Sequence, residues 1–164
     1  MAEPLKKIPA EDRWSIATQA LTGAVVALAK AVRDEVGPER YNEIWGQVWG
    51  ELGKASKQIA DALGLAGGDA KSAAETLQLV TDVAMGPEFK RTVEGTAEKV
   101  VLRSTECVWW NRQKELGISD VCPVACAAYC DAFAKSLNPK ITVSQTKAMP
   151  RGDPYCELVW ELQK

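Results

Sequence analysis

The segment CPVACAAYCD at 122–131 places cysteines at every fourth position, with an acid directly after the last. Cys107 and Cys156 complete a set of five, and the first 106 residues contain none. Residues four apart on a helix share a face, one turn above another. Cys122, Cys126 and Cys130 therefore form a stripe that runs on through Phe133 and Leu137 and points inward. If YCELVWELQ is a strand, Cys156 shares a side with Leu158, Trp160 and Leu162, and that side is apolar. Both sulfur-bearing surfaces face an interior where they can meet, with Cys107 at the end of another strand as a further member.

Sulfur so placed admits several chemistries. As thiolates, Cys107, Cys122, Cys126, Cys130 and Cys156 are soft ligands for a zinc ion or an iron–sulfur cluster. The chain has no histidine, so a metal site would be all-sulfur or sulfur–oxygen, and the spacing matches neither the usual zinc pairs nor common ferredoxin runs. As a nucleophile Cys122 is best placed, because a helix start lowers a thiol pKa. As plain packing groups, free cysteines behave as small hydrophobes. Without histidine, serine–histidine and cysteine–histidine catalysis are excluded. Acid–base work falls to Asp131, Glu157, Tyr129, a lysine or a metal-bound water. Asp131 lies about 100° around the helix from Cys130, close enough to reach the same pocket, with an exposed helix-surface acid as the favoured competing role. Trp109, Trp110, Tyr129 and Trp160 are candidate aromatic walls of a substrate pocket, with core packing as the competing role for each.

Elements must hold these residues in place. Apolar residues at Trp14, Ala17, Leu21, Val25, Leu28 and Val32 predict a helix over 10–36. Gly37 and Pro38 end it and begin the next, predicted over 38–63, whose stripe includes Tyr41, Trp45 and Trp49. Gly46, Gly50 and Gly53 interrupt that helix and would let another backbone or a flat ligand approach. A third helix is expected over 70–85, with Asp69 as its N-cap. The texture then changes. EFKRTVEG and EKVVLRSTEC read as a hairpin around Gly95, a short helix follows near 108–116, and the cysteine helix spans 123–137. KITVSQTKA and YCELVWELQ form a second hairpin across PRGDP. The expected fold is α+β: a helical half, 1–86, packed with an antiparallel sheet of two hairpins joined by helices, 87–164, in one domain of 164 residues.

Bulk properties narrow the partners. A net charge of −2 and a pI near 5.3 argue against nucleic-acid binding, which favours a basic stripe. The N-terminus has no signal-peptide core, and the run GAVVALA at 23–29 is far short of the ~20 residues that span a bilayer. A cytoplasmic protein with no membrane partner is expected, where thiols stay reduced and disulfides are the weakest reading. A Trp-bearing amphipathic helix over 38–63 makes a homodimer a reasonable expectation.

The C-terminal half resembles a known family. ECVWWNRQKELGISDVC, CAAYCDAFAKSLNP and KITVSQTKAMPRGDPYCELVWEL carry a cysteine followed by tryptophans (Cys107, Trp109, Trp110), a cysteine–aspartate helix (Cys130, Asp131) and a late Gly152-Asp153-x-x-Cys156 strand. This order, over about residues 100–162, resembles the L-2-amino-thiazoline-4-carboxylic acid hydrolase-like family. The resemblance implies a hydrolase that opens a small cyclic amidine-like or thiazoline ring at a C–N bond. The layout is also similar to the 4-vinyl reductase domain, which implies a small-ligand-binding module, sensor or accessory protein without catalysis. The extra cysteines in CPVACAAYC exceed the family's minimal pattern and favour a bound metal or cluster over simple hydrolysis.

Overall fold

The computed structural model describes residues 3–118 and 122–164. Helices α1 (Glu3–Lys6), α2 (Ala10–Val36), α3 (Pro38–Ala55), α4 (Lys57–Ala62) and α5 (Ala70–Met85) precede the hairpin β1 (Lys90–Gly95) and β2 (Lys99–Glu106). Helices α6 (Val108–Glu115) and α7 (Cys122–Leu137) lead to the second hairpin, β3 (Ile141–Lys147) and β4 (Cys156–Leu162). The sheet is antiparallel throughout, in the order β1-β2-β4-β3, so the two hairpins join through their inner strands. This is the expected α+β arrangement.

Strand alternation decides which side of the sheet carries the core. Val100, Leu102 and Ser104 of β2 pair with Trp160, Leu158 and Cys156 of β4, and all of these side chains point at the helices. The intervening residues form a polar outer face, where Arg103 holds Glu157 at 2.8 Å. Helices α5 and α7 lie on the inner face, α3 packs on α7, and α2 packs against α3, α5 and α6.

Helix boundaries follow local chemistry. Gly37 takes φ 80 between α2 and α3, a left-handed value open to glycine. Asp69 caps α5 in a reciprocal box with Ser72, as expected. The predicted single helix over 38–63 is broken. Ser56 turns its hydroxyl onto the carbonyl of Leu52 at 2.8 Å and accepts a hydrogen bond from Tyr129 at 2.8 Å. Serine commonly competes with a helix in this way, and α4 restarts one residue later.

The contact of α3 with α7 is close because of one glycine. A Cβ on Gly53 would stand 2.4 Å from the Tyr129 carbonyl oxygen and 3.1 Å from the Phe133 nitrogen, so the two backbones nearly touch there. Of the close approaches the glycine spacing suggested, this one is a helix backbone, while Gly50 faces open space. Along α3, Tyr41, Trp45 and Trp49 follow one turn apart, Tyr41 stacked on Trp45 at 5.1 Å and Trp45 edge-on to Trp49 at 6.2 Å between ring centroids. Trp49 continues edge-on to Trp109 at 4.8 Å and Tyr129 at 5.8 Å. Such pairs contribute about 0.5–1.5 kcal/mol each beyond area burial. The aromatic column thereby fixes one wall of the site.

Candidate functional site

Between the sheet, α5, α6 and α7 lies a cavity of about 90 Å³, and Cys107, Cys122, Cys126, Cys130 and Cys156 all line it. Each arrives by its own device. The spacing of α7 stacks Cys122, Cys126 and Cys130 on the face turned to the sheet. Cys107 is the N-cap residue of α6, held in extended backbone. Cys156 begins β4 after a turn built by its own motif. There Gly152 adopts φ 93, the Asp153 carboxylate accepts from the Ala148 amide at 2.8 Å, and the Met149 amide donates to the Cys156 sulfur at 3.3 Å. The Gly-Asp-x-x-Cys signature is thus a turn that aims a thiol.

The surroundings of Cys107, Cys122, Cys126 and Cys156 favour the neutral thiol. The cysteines are all free. Burial pushes Cys107 up to about 12, outweighing the Trp110 and Trp109 amides at the start of α6. Burial also raises Cys122 well above the ordinary thiol range, reinforced by Cys107, Cys126 and Cys156. Cys126 is raised by its hydrogen bond to Cys130 and then by burial, and Cys156 chiefly by burial. The helix start at Cys122 lies in apolar surroundings that disfavour charge, so it does not by itself lower that thiol's pKa.

The same facts bear on a metal. Among the described residues, no three cysteines or carboxylates gather as a group able to hold a metal ion. Ligation would require thiolates about 2.3 Å from a shared centre. All five cysteines nevertheless face one space.

The remaining candidates divide. Trp109 and Tyr129 line the cavity. Trp109 donates to the Met85 sulfur at 3.1 Å, and burial raises the Tyr129 phenol to about 12. Trp110 and Trp160 are not among the lining residues. Trp110 lies beneath the Lys114 ammonium, 5.7 Å from its ring centre, while Trp160 is wholly buried in the core behind the cavity. Asp131, the expected acid–base group, is turned away from the cavity and pairs with Lys135 at 2.7 Å. One residue of helical advance is enough to carry it out of the sulfur stripe. Glu157 alternates onto the outer sheet face with Arg103.

Of the lining residues that escaped the sequence reading, two carry a buried polar atom without a hydrogen-bond partner. Arg91 has a side chain only 5% exposed. Its guanidinium bonds Thr81 at 2.6 Å, the Gln78 carbonyl at 3.1 Å and the Asp82 carboxylate, and lies 4.2 Å from the Phe89 ring centre. Its Nε is buried without a hydrogen-bond partner. Gln113 is 2% exposed, and its Oε1 is likewise buried and unpartnered. A signal for Arg91 existed: it alternates with Phe89 and Val93 on the inward side of β1. Gln113 offered only its place one turn beyond Trp109 on α6.

Comparison with known proteins agrees with this geometry. The family model described as L-2-amino-thiazoline-4-carboxylic acid hydrolase matches residues 16–160. A search of curated proteins finds no match. Among solved structures, the phenol-responsive sensory domain of the transcription activator PoxR with phenol is similar at TM-score 0.61 and 17% identity, over 86% of this chain and 74% of that one. A trafficking protein particle complex subunit 3 from Naegleria fowleri, covalently bound to palmitic acid, is similar at TM-score 0.59 and 14% identity, over 91% and 96%. An H-NOX protein from S. oneidensis in the Fe(II)NO ligation state follows at TM-score 0.54 and 14% identity, over 85% and 74%. At these identities the likeness is one of fold.

Proposed function

The chain belongs to the L-2-amino-thiazoline-4-carboxylic acid hydrolase family, and from that premise we propose that it binds a small ring compound in the thiol-lined cavity. The observation that carries this reading is the pair of unsatisfied polar atoms, Arg91 Nε and Gln113 Oε1, on side chains lining an otherwise apolar space. A buried polar atom without a partner costs about 1–3 kcal/mol. A ligand that accepts from Arg91 and donates to Gln113 would recover that cost. The flat rings of Trp49, Trp109 and Tyr129 and the sulfur of Met85 suit a planar body. A heterocycle bearing an acidic group and an N–H or O–H donor has this chemistry, and thiazoline-type acids belong to the class.

Ring-opening hydrolysis is the second reading, favoured by the family match. Among the described residues no carboxylate lines the cavity, and the groups there that could take a proton from an attacking water are the thiols and the ligand itself. The phenol held by the PoxR domain supports the binding reading as a ligand of similar size. Titration of 2-amino-thiazoline-4-carboxylate and of phenol, followed by Trp49 and Trp109 fluorescence, tests binding, and appearance of ring-opened product tests turnover. Saturable quenching that Gln113→Leu weakens at least tenfold is the expected result. Turnover that survives Gln113→Leu and Cys126→Ser unchanged would place the chemistry elsewhere.

A further inference from the structure

The outward face of α2 carries an apolar stripe that the cavity does not use. At ~100° per residue, Arg13, Ala17, Ala20, Leu21, Ala24, Ala27, Leu28, Ala31 and Glu35 all point within about 60° of Ala24. Every one from Ala17 to Ala31 is exposed, Leu21 at 56% and Leu28 at 60%. The opposite side of the helix, Thr18, Thr22, Val26 and Ala29, is buried in the chain.

The stripe is symmetric about its centre. Counting outward from Ala24 in each direction, Leu21 matches Ala27, Ala20 matches Leu28, Ala17 matches Ala31 and Arg13 matches Glu35. In an antiparallel pair of α2 helices related by a twofold axis at Ala24, each leucine would meet an alanine. Small side chains would meet on the axis, and an arginine would meet a glutamate at both ends. An isologous contact demands this self-complementarity, in which residue i meets j and j meets i. The alternating three- and four-residue spacing of Ala17, Ala20, Ala24, Ala27 and Ala31 is that of a coiled-coil seam, extending about 33 Å between Arg13 and Glu35. We infer that α2 is the dimer interface of this protein and that its occupant is the same helix of a second copy, antiparallel and centred on Ala24.

A lipid surface is the competing partner, since α2 is long and apolar enough by length and composition to cross a membrane. This goes beyond what the run at 23–29 suggested. Interfacial helices, however, carry lysine and arginine on the polar face. Here Glu35 lies within the stripe, Asp34 beside it, and Glu11 and Asp12 at the other end. The residues that recommended the 38–63 helix as a dimer surface, Trp45 and Trp49, are buried within the chain.

Sedimentation of the full chain at micromolar concentration tests the inference. A dimer is expected, and Ala24→Glu, which sets two carboxylates face to face on the axis, is expected to give a folded monomer by circular dichroism. Arg13→Glu should weaken dimerisation at least tenfold, and adding Glu35→Arg should restore it. Under mild oxidation Ala24→Cys should yield a covalent dimer while Ala17→Cys, which faces position 31, should not. A monomeric wild type, a dimer indifferent to Ala24→Glu, or failure of the charge exchange to restore pairing would overturn the proposal. So would a monomer that binds phosphatidylcholine or phosphatidylglycerol vesicles through this face, which would make it a membrane surface.

Discussion

Helices α7 and α2 both carry small residues at every third or fourth position, yet one stripe is sealed inside and the other faces water. On α7, Cys122, Ala125, Tyr129, Cys130, Phe133 and Ala134 are buried because the sheet covers one side and Gly53 admits α3 to the other. On α2, the residues of the outward face from Ala17 to Ala31 are exposed. Periodicity states that a face is apolar. Only packing partners decide whether that face becomes a core, a cavity wall or an interface.

Among changes that leave the protein folded, the largest effect should come from separating α7 from α3. Gly53→Val pushes a branched side chain into the Tyr129 carbonyl, where backbone must move, and overpacking of this kind costs about 1–3 kcal/mol and occasionally more. For a chain of this size each kcal/mol lowers Tm by about 2–4 °C, so a loss near 10 °C is expected in thermal denaturation. Gly50→Ala, one turn earlier in open space, should instead stabilise by up to about 1 kcal/mol through helix propensity. Equal effects at the two positions would mean that α3 and α7 are not in backbone contact.

Next comes the polar end of the cavity. Gln113→Leu removes an unsatisfied buried acceptor, so the free protein should gain about 1–2 kcal/mol while losing polar-ligand affinity. Calorimetric unfolding with and without ligand checks both signs at once. A variant less stable than wild type would show that Gln113 has a partner within the fold.

Much of this was legible beforehand. The hairpins, the helix over 70–85 and the α+β pairing follow from alternation, glycine–proline punctuation and the Asp69 cap, all local signals. The inward turn of Cys126, Cys130 and Cys156 followed from period and neighbours. Thiol charge was not legible: a helix start lowers a thiol pKa only where water or cations attend it, and burial at Cys122 reverses the sign. Of the two roles open to Asp131, the helix-surface acid is the one found, because adjacency in sequence is about a third of a turn on a helix. Arg91 pairs with Asp82, and that contact depends on α5 packing beside β1, which no local pattern encodes.

The thiols themselves predict a smaller, pH-dependent effect. The folded pKa values of Cys107, Cys122, Cys126 and Cys156 are raised above the unfolded value of 9.0, with Cys107 at about 12. The unfolded chain therefore releases protons that the folded chain keeps. Stability is fully present below pH about 9 and falls as pH rises toward 12, by at most about 1.4 kcal/mol per unit for each such thiol. Urea unfolding at pH 8 and pH 10 measures the slope. Iodoacetamide should label the folded protein far more slowly than the denatured one at pH 8, because the thiolate is the reactive form. Metal analysis after anaerobic purification sharpens the same point. Protonated thiols predict substoichiometric zinc and iron and an unchanged fold in Cys126→Ser, whereas stoichiometric metal lost in that variant would restore the ligand reading.

The smallest expected change in intrinsic stability separates the two helices most cleanly. Ala125 on α7 is 6% exposed, so Ala125→Glu buries a charge and should unfold the protein or come close to it. Ala24 on α2 is exposed, and in the monomer a surface substitution there falls within about 0.5 kcal/mol. The wild-type Tm should still differ, because a dimer adds stability by mass action that grows with protein concentration. Over a hundredfold concentration range, wild-type Tm should rise while that of Ala24→Glu stays flat, the two converging at the dilute end. Parallel curves would leave the α2 stripe a bare apolar surface, and a collapse of Ala24→Glu at every concentration would place that stripe inside the monomer's own core.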